Sequence, residues 1–387
     1  MRENTQVMSQ DETYKPNKNN QQKTTERHKL DPKAIAIVLI ITLIEFELFT
    51  TAKSIIQVAE QDAWMCIILA SPIVTATTYL TVKLIARFPR ENFFAFSKNT
   101  WGKALGTIII MGYLAFWMVY LGMSFESFGE VNKLLFLPET PIVVPVILLA
   151  LGAVGLCLYG FAAITRFFQL IFPFTLLPLL FTALISLRSI NIVNFFPVLG
   201  NGWLPVIKGT FLLIGAVQGL EVILFIGPFF RNKKALIKPA IIGVNFVLFL
   251  NLLQAMMGIG VYGVENIKKS ILPGIDTLSA MTLPGFPVER FELFLSIPWL
   301  FAMFTTMVIY VYLITQGMLH LLRYRYRKVV SIIVAISSLA AVYLIPNIAW
   351  QFKLRELLHY PTYIFVFIIP VLTLLVAVIR GKKGPVQ

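Results

Sequence analysis

The residues best placed to do chemistry lie in the run Gly215-Ala216-Val217-Gln218-Gly219-Leu220-Glu221, which continues through Val222-Ile223-Leu224-Phe225-Ile226 to Gly227-Pro228. This run sits inside an apolar segment long enough to cross a bilayer. It holds an amide, a carboxylate and two glycines that weaken a helix. A spanning helix can open at such a place and expose backbone N–H and C=O groups. A glutamate at membrane depth is expensive and marks a functional position by default. One reading is a site that holds a small polar molecule at the break. The other is a packing seam, in which small residues let helices approach and Glu221 serves as a structural ion-pair partner.

A second polar group is Glu45, Glu47, Thr50, Thr51 and Lys53, with Phe49 among them. Glu45 falls about 18 Å along a helix begun near residue 33, close to the bilayer midplane. The carboxylates, two apart, point to different faces, and at least one is expected to face the interior. They could bind a cation or an amine; alternatively one is protonated or pairs with another helix. Tyr120 and Tyr310 lie near mid-depth in two further spans, where packing is the competing account. Arg166 opens another span. Depth counted from the span ends brings it toward Glu221, about 10 Å from the same side, and a gating ion pair between them is one expectation. The other is that Arg166 snorkels to headgroups while Glu221 is neutral and hydrogen-bonded.

The elements that position these groups are membrane spans. Of 387 residues, 57% are hydrophobic and only 13% charged, against about 25% charged in soluble domains. Ten runs supply roughly 20 apolar residues each: 34–57, 63–86, 104–127, 141–160, 164–187, 205–228, 237–263, 292–319, 328–346 and 358–380. The expected class is an all-α integral membrane protein. Residues 1–32 read as a disordered polar tail, 33–380 as the membrane domain and 381–387 as a short basic tail. Placed alternately, the connections carry 24 Lys and Arg on the side of the two termini and seven on the other, so both termini are expected in the cytoplasm.

Other function classes find little support. The net charge of +14 is spread over span ends, as topology signals are, rather than gathered for nucleic acid. Cys66 and Cys157 fall in apolar runs, and the three histidines are scattered. No metal, haem, redox or phosphate-loop spacing appears, so neither a cofactor nor an enzyme is expected.

Several motifs in order resemble the spore germination permease family, the membrane-embedded B subunits of germinant receptors within the amino acid–polyamine–organocation superfamily. They are Asp62-Ala63-Trp64, Arg87-Phe88-Pro89, Trp101-Gly102-Lys103-Ala104-Leu105-Gly106 and Leu137-Pro138-Glu139-Thr140-Pro141. Further on come Tyr159-Gly160-Phe161-Ala162-Ala163-Ile164-Thr165-Arg166, with Thr165 where Ala is usual, then Gly219-Leu220-Glu221 with Gly227-Pro228. The last is Val288-Glu289-Arg290-Phe291-Glu292 with Trp299, where Glu292 replaces Asp. The resemblance implies a LeuT-like five-plus-five inverted repeat of ten helices, with spans 1 and 6 broken around a central site. It implies a small nutrient ligand, often an amino acid, with A and C receptor subunits as partners in the spore inner membrane. The expected contacts are Phe49, Thr50, Thr51, Tyr120, Gly215, Gln218, Gly219 and Tyr310. Span 1 departs from the family by carrying Glu45-Phe46-Glu47-Leu48-Phe49-Thr50-Thr51 where glycines are usual, so span 6 is the better-supported half. The rival readings are an H⁺- or Na⁺-coupled amino acid transporter and a structural subunit without a ligand.

Overall fold

A computed structural model describes residues 30–44, 46–230, 232–280, 292–340 and 348–384. The helices are α1 (Ala34–Leu43), α2 (Phe46–Ala59), α3 (Ala63–Arg87), α4 (Phe93–Trp101), α5 (Lys103–Leu135), α6 (Val143–Tyr159), α7 (Phe161–Ser186) and α8 (Trp203–Gly215). They continue with α9 (Val222–Ile226), α10 (Ile237–Met257), α11 (Val264–Lys269), α12 (Pro273–Ser279), α13 (Glu292–Leu322), α14 (Arg327–Leu339), α15 (Ile348–Thr362) and α16 (Ile369–Ile379). Wider turns at Gly258–Tyr262 and Tyr363–Ile368 extend α10 and join α15 to α16. Six segments are long and apolar enough to cross a membrane: Thr51–Arg87, Lys103–Leu135, Phe161–Ser189, Lys234–Tyr262, Pro298–Leu322 and Lys353–Ile379. The shorter apolar helices α1, α6 and α8 accompany them. The chain is therefore a multi-pass membrane protein.

The apolar runs at 34–57 and 205–228 each give two helices. α1 ends at Leu43, and Ile44 has left helical geometry with φ −83° and ψ 28°. α8 ends at Gly215, and six residues pass before α9 begins. α13 is the central column, by far the most deeply buried of the six segments. Around it the bundle closes where glycines admit neighbours. A Cβ on Gly243 of α10 would stand 3.0 Å from the Cα and carbonyl oxygen of Ala36 on α1, and one on Gly209 of α8 would stand 2.6 Å from Cys66 Sγ on α3.

Several sequence motifs turn out to be corners. Asp62 is buried and accepts the Leu199 N–H on both carboxylate oxygens at 3.0 Å. Beside it Gln61 Nε2 donates to the Pro197 carbonyl at 2.7 Å, and Asn201 Nδ2 donates to Glu60 at 2.8 Å. Glu60 also pairs with Lys268 of α11 at 2.8 Å, which holds the Lys268 ammonium above its ordinary pKa, chiefly through that hydrogen bond. Arg87 donates to the carbonyls of Ala377 and Lys382, and Trp101 Nε1 to Thr373 Oγ1 at 2.9 Å. Gly102 and Gly160 turn the chain with φ of +89° and +85°.

Three expectations need adjustment. The polar tail is expected to end at residue 32, but the Leu30 N–H donates to the Phe229 carbonyl at 2.8 Å, so the folded body reaches at least to Leu30; residues 1–29 lie outside the described residues. In the other tail, the Gly384 N–H donates to the Arg87 carbonyl at 3.0 Å. The connection after α3, expected as a loop, contains α4, started by Asn92, whose side chain accepts the Ala95 N–H at 3.1 Å.

The Gly243 contact is testable. Gly243→Val forces α10 off α1 and should cost about 1–3 kcal/mol, read as a lower thermal midpoint in detergent. Gly155→Ala, at a helical position with no atom within 4 Å of the added carbon, should leave the midpoint unchanged or raise it.

Candidate functional site

The two helix breaks meet. In the break between α8 and α9, Gly219 has φ +102°, a conformation L side chains rarely adopt, and a Cβ there would stand 3.2 Å from Thr42 and 3.3 Å from Leu43 at the end of α1. The Thr306 hydroxyl of α13 donates to the Thr42 carbonyl at 3.3 Å, completing a junction of α1, the α8–α9 break and α13. Gly215 closes the other side of the break, where a Cβ would stand 2.7 Å from His359 Cβ on α15.

An opened helix must find partners for its polar groups, because hydrocarbon offers none. Glu221 supplies them. It is 1% exposed; Oε2 accepts the Gly219 N–H at 2.8 Å, and Oε1 accepts Trp117 Nε1–H at 3.0 Å and the Tyr310 hydroxyl at 3.4 Å. Short backbone bonds from Val222, Ile223 and Leu224 to Gly219, Leu220 and Glu221 then restart the chain as α9. Trp117, Tyr113 and Phe225 pack ring to ring above α4, where Phe93 and Phe94 also touch Phe225.

Between the breaks lies a small cleft. Leu43 of α1 and Thr51 of α2 line it, with Ala216 and Val217 from the α8–α9 break and Val247 and Asn251 from α10. Gln218 is buried and its Oε1 accepts no hydrogen bond. A larger cleft adjoins across α2 and α10, with Ala52, Thr182, Leu250, Gln254 and Thr277 in its wall. Both clefts have apolar walls with a few polar groups among them, the character of a small-molecule site.

Of the residues singled out in the sequence, Thr51, Gly215, Gln218, Gly219 and Glu221 come together at or beside the breaks. Tyr120 and Tyr310 stack edge to face at 5.0 Å next to them. Phe49, Thr50 and Glu47 lie on α2 with side chains outside the described residues, and Glu45 is outside them altogether. Arg166 stands exposed on α7. Among the described residues no ion pair joins it to Glu221, whose oxygens are already taken by Trp117, Tyr310 and Gly219. The partner absent from the sequence reading is Trp117. Its signal was an indole N–H at membrane depth, one turn from Tyr113 and close to Tyr120, a donor that needs an acceptor when buried.

The sequence matches the spore germination protein family over residues 29–347. The chain belongs to the spore germination protein family. Among its curated relatives in Bacillus subtilis (strain 168), spore germination protein YndE is 27% identical over 293 residues, 75% of this chain and 80% of the relative. Spore germination protein A2 is 30% identical over 263 residues, 66% and 70% of the two chains, and spore germination protein B2 is 24% identical over 281 residues, 73% and 76%. In three dimensions this member of the family is similar to the Eremococcus coleocola manganese transporter. The crystal structure of one histidine-to-alanine mutant of that transporter gives a TM-score of 0.60 at 13% identity, over 92% of this chain and 80% of the transporter. A complex of the transporter with an aromatic bis-isothiourea substituted compound gives 0.59 at 15%, over the same shares. At these identities the likeness shows the fold alone, a LeuT-like transporter fold.

Removing the Glu221 acceptor should open the break. Glu221→Ala leaves the Gly219 and Trp117 donors unpaired at about 1–3 kcal/mol each, whereas Trp117→Phe removes only one bond. The pair Trp117→Phe and Glu221→Gln should show a coupling of about 0.5–3 kcal/mol in thermal unfolding of the solubilised protein; strict additivity would mean the indole and carboxylate do not interact.

Proposed function

We propose that the chain is the membrane subunit of a spore germinant receptor, binding a small polar nutrient such as an amino acid between the broken spans and triggering germination. The observation that carries this reading is the cleft lined from both breaks; the residue that follows Val217 of its wall is the buried Gln218, whose Oε1 accepts no hydrogen bond. Phe49, Thr50, Thr51, Gly215 and Gly219 frame the ligand, with Tyr120 and Tyr310 behind Glu221. Opened backbone on both sides offers N–H groups to a carboxylate and C=O groups to an amine. Leu43, Val217 and Val247 leave room for a compact apolar side chain.

The same reading takes the chain as ten spans in a five-plus-five inverted repeat, the four shorter or broken apolar runs completing the six long segments. The membrane domain, which takes in Leu30 and Gly384, lies in the spore inner membrane with both termini in the cytoplasm. Receptor A and C subunits are its partners alongside the lipid bilayer. The names of its relatives support the germination role. The transporter fold supports a second reading, uptake of the same nutrient coupled to H⁺ or Na⁺.

The test is ligand-induced stabilisation of the purified chain by a panel of amino acids and other spore nutrients. A ligand at 100 times its Kd should raise stability by about 2.7 kcal/mol. Ala216→Leu, which fills the cleft, and Gly219→Ala, which forbids the φ of the break, should both abolish the gain and the germination response at normal protein levels. A response that survives both substitutions would move the site elsewhere. Uptake of labelled nutrient into proteoliposomes decides between receptor and transporter.

A further inference from the structure

A second buried carboxylate has the opposite surroundings. Glu126 on α5 is 2% exposed, and neither Oε1 nor Oε2 accepts a hydrogen bond. Donors stand nearby but are spent elsewhere. The Arg355 guanidinium of α15 donates through Nη2 to Ser127 Oγ at 3.0 Å, Gln351 Nε2 of α15 donates to the same oxygen, and that hydroxyl donates to the Met123 carbonyl at 2.7 Å. Gln351 is itself fully buried, with an Oε1 that accepts nothing. The charges that act on Glu126 through space are Glu130, one turn along the same face of α5, and Arg355. Among the described residues α6 carries no charge, Arg327 of α14 stands beside Gly160, the Glu292 side chain of α13 lies outside the described residues, and Lys53 of α2 donates to the Ser270 carbonyl.

An ionised carboxylate left without donors in a low-dielectric seam costs several kcal/mol, and a guanidinium close by would ordinarily turn to it. Here the guanidinium holds a serine. That arrangement suits a neutral acid, and the positive charge of the same guanidinium acts on the carboxyl through space. Glu130, half-buried, lies one turn further along. A metal cation fits less well, because a positive side chain already occupies the seam.

We propose that Glu126 is a proton-binding site at the α5–α15 seam, separate from the nutrient cleft, which carries its proton in the state seen here. On release the O–H bond of Glu126 breaks, the proton passes to water, and the positive charge of Arg355 stabilises the new carboxylate. Because α15 also carries His359 against Gly215, the seam joins the protonation site to the break between α8 and α9.

The experiment is infrared difference spectroscopy of the full chain in lipid nanodiscs, titrated with pH in choline, sodium and potassium salts and without nutrient. A protonated-carboxyl band should be present at neutral pH, move on H/D exchange, be missing in Glu126→Gln and disappear as pH rises. Arg355→Gln, which removes the cation that stabilises the anion, should move that disappearance by at least about one pH unit upward, a tenfold change in proton concentration. Should Glu126→Gln fail to fold, Glu126→Asp and the Arg355→Gln shift serve in its place. Spectra of wild type and Glu126→Gln that match at every pH, a band that never titrates while the protein stays folded, an unshifted Arg355→Gln titration, or a shift on exchanging choline for sodium at fixed pH would each overturn the assignment. None of these readings depends on nutrient binding, so the receptor reading and this one can fail separately.

Discussion

The hydrogen bond from the Gly219 N–H to the Glu221 carboxylate is the contact on which the middle of this protein depends. An interrupted helix inside a membrane exposes donors that lipid cannot satisfy, each worth several kcal/mol if left alone. A carboxylate two residues further along answers that need from within the break. It can do so because Trp117 and Tyr310 share its other oxygen. The break is thus a built conformation, with Gly219 supplying a φ of +102° that other residues would resist.

The aromatic layer follows from the same constraint. α9 is only five residues long, too short to be stable alone, so its stability must come from packing. Phe225 is held by Trp117, Tyr113, Phe93 and Phe94, and the last two come from α4, a helix whose place in the chain reads as a basic loop. α4 in turn is fixed by Gly106, where an added Cβ would stand 2.7 Å from Lys98 Cα. The rings that floor the site and the side chain that fixes its backbone are therefore one packed unit.

Much of this was legible in the sequence, for physical reasons that vary by element. Long apolar runs fix helices whatever their partners, which is why α3, α7, α10 and α13 fall close to their expected bounds, while α5 runs eight residues past its expected end at 127 to Leu135. Gly215 and Gly219 announce the second break because few other residues serve there. The first break was harder: α1 ends at Leu43 and Ile44 leaves the helix, with no glycine to mark it, because the neighbouring span supplies the glycine that lets the two approach. The family motifs were visible but say less about the site than their spacing promised. Asp62, Arg87 and Trp101 hold corners, whereas Trp117, which touches Glu221, lies outside every motif. Arg166 shows the limit of depth arithmetic: equal height along two helices says nothing about the faces they present.

Two buried carboxylates, Glu221 and Glu126, then stand in contrast within one bundle. Trp117 and Tyr120 on α5, the helix that carries Glu126, build the wall of the Glu221 site, so both acids are tied to the same rod. Glu221 receives three donors, which fix its place in the break. Glu126 receives none, while Arg355 and Gln351 beside it are engaged with Ser127. A group fully satisfied by fixed donors is suited to hold geometry. A buried acid beside an arginine can take two arrangements, with and without its proton, which is what a switch requires. The division places shape at the break and adjustability at the seam, with α5 and α15 as the elements through which one can act on the other.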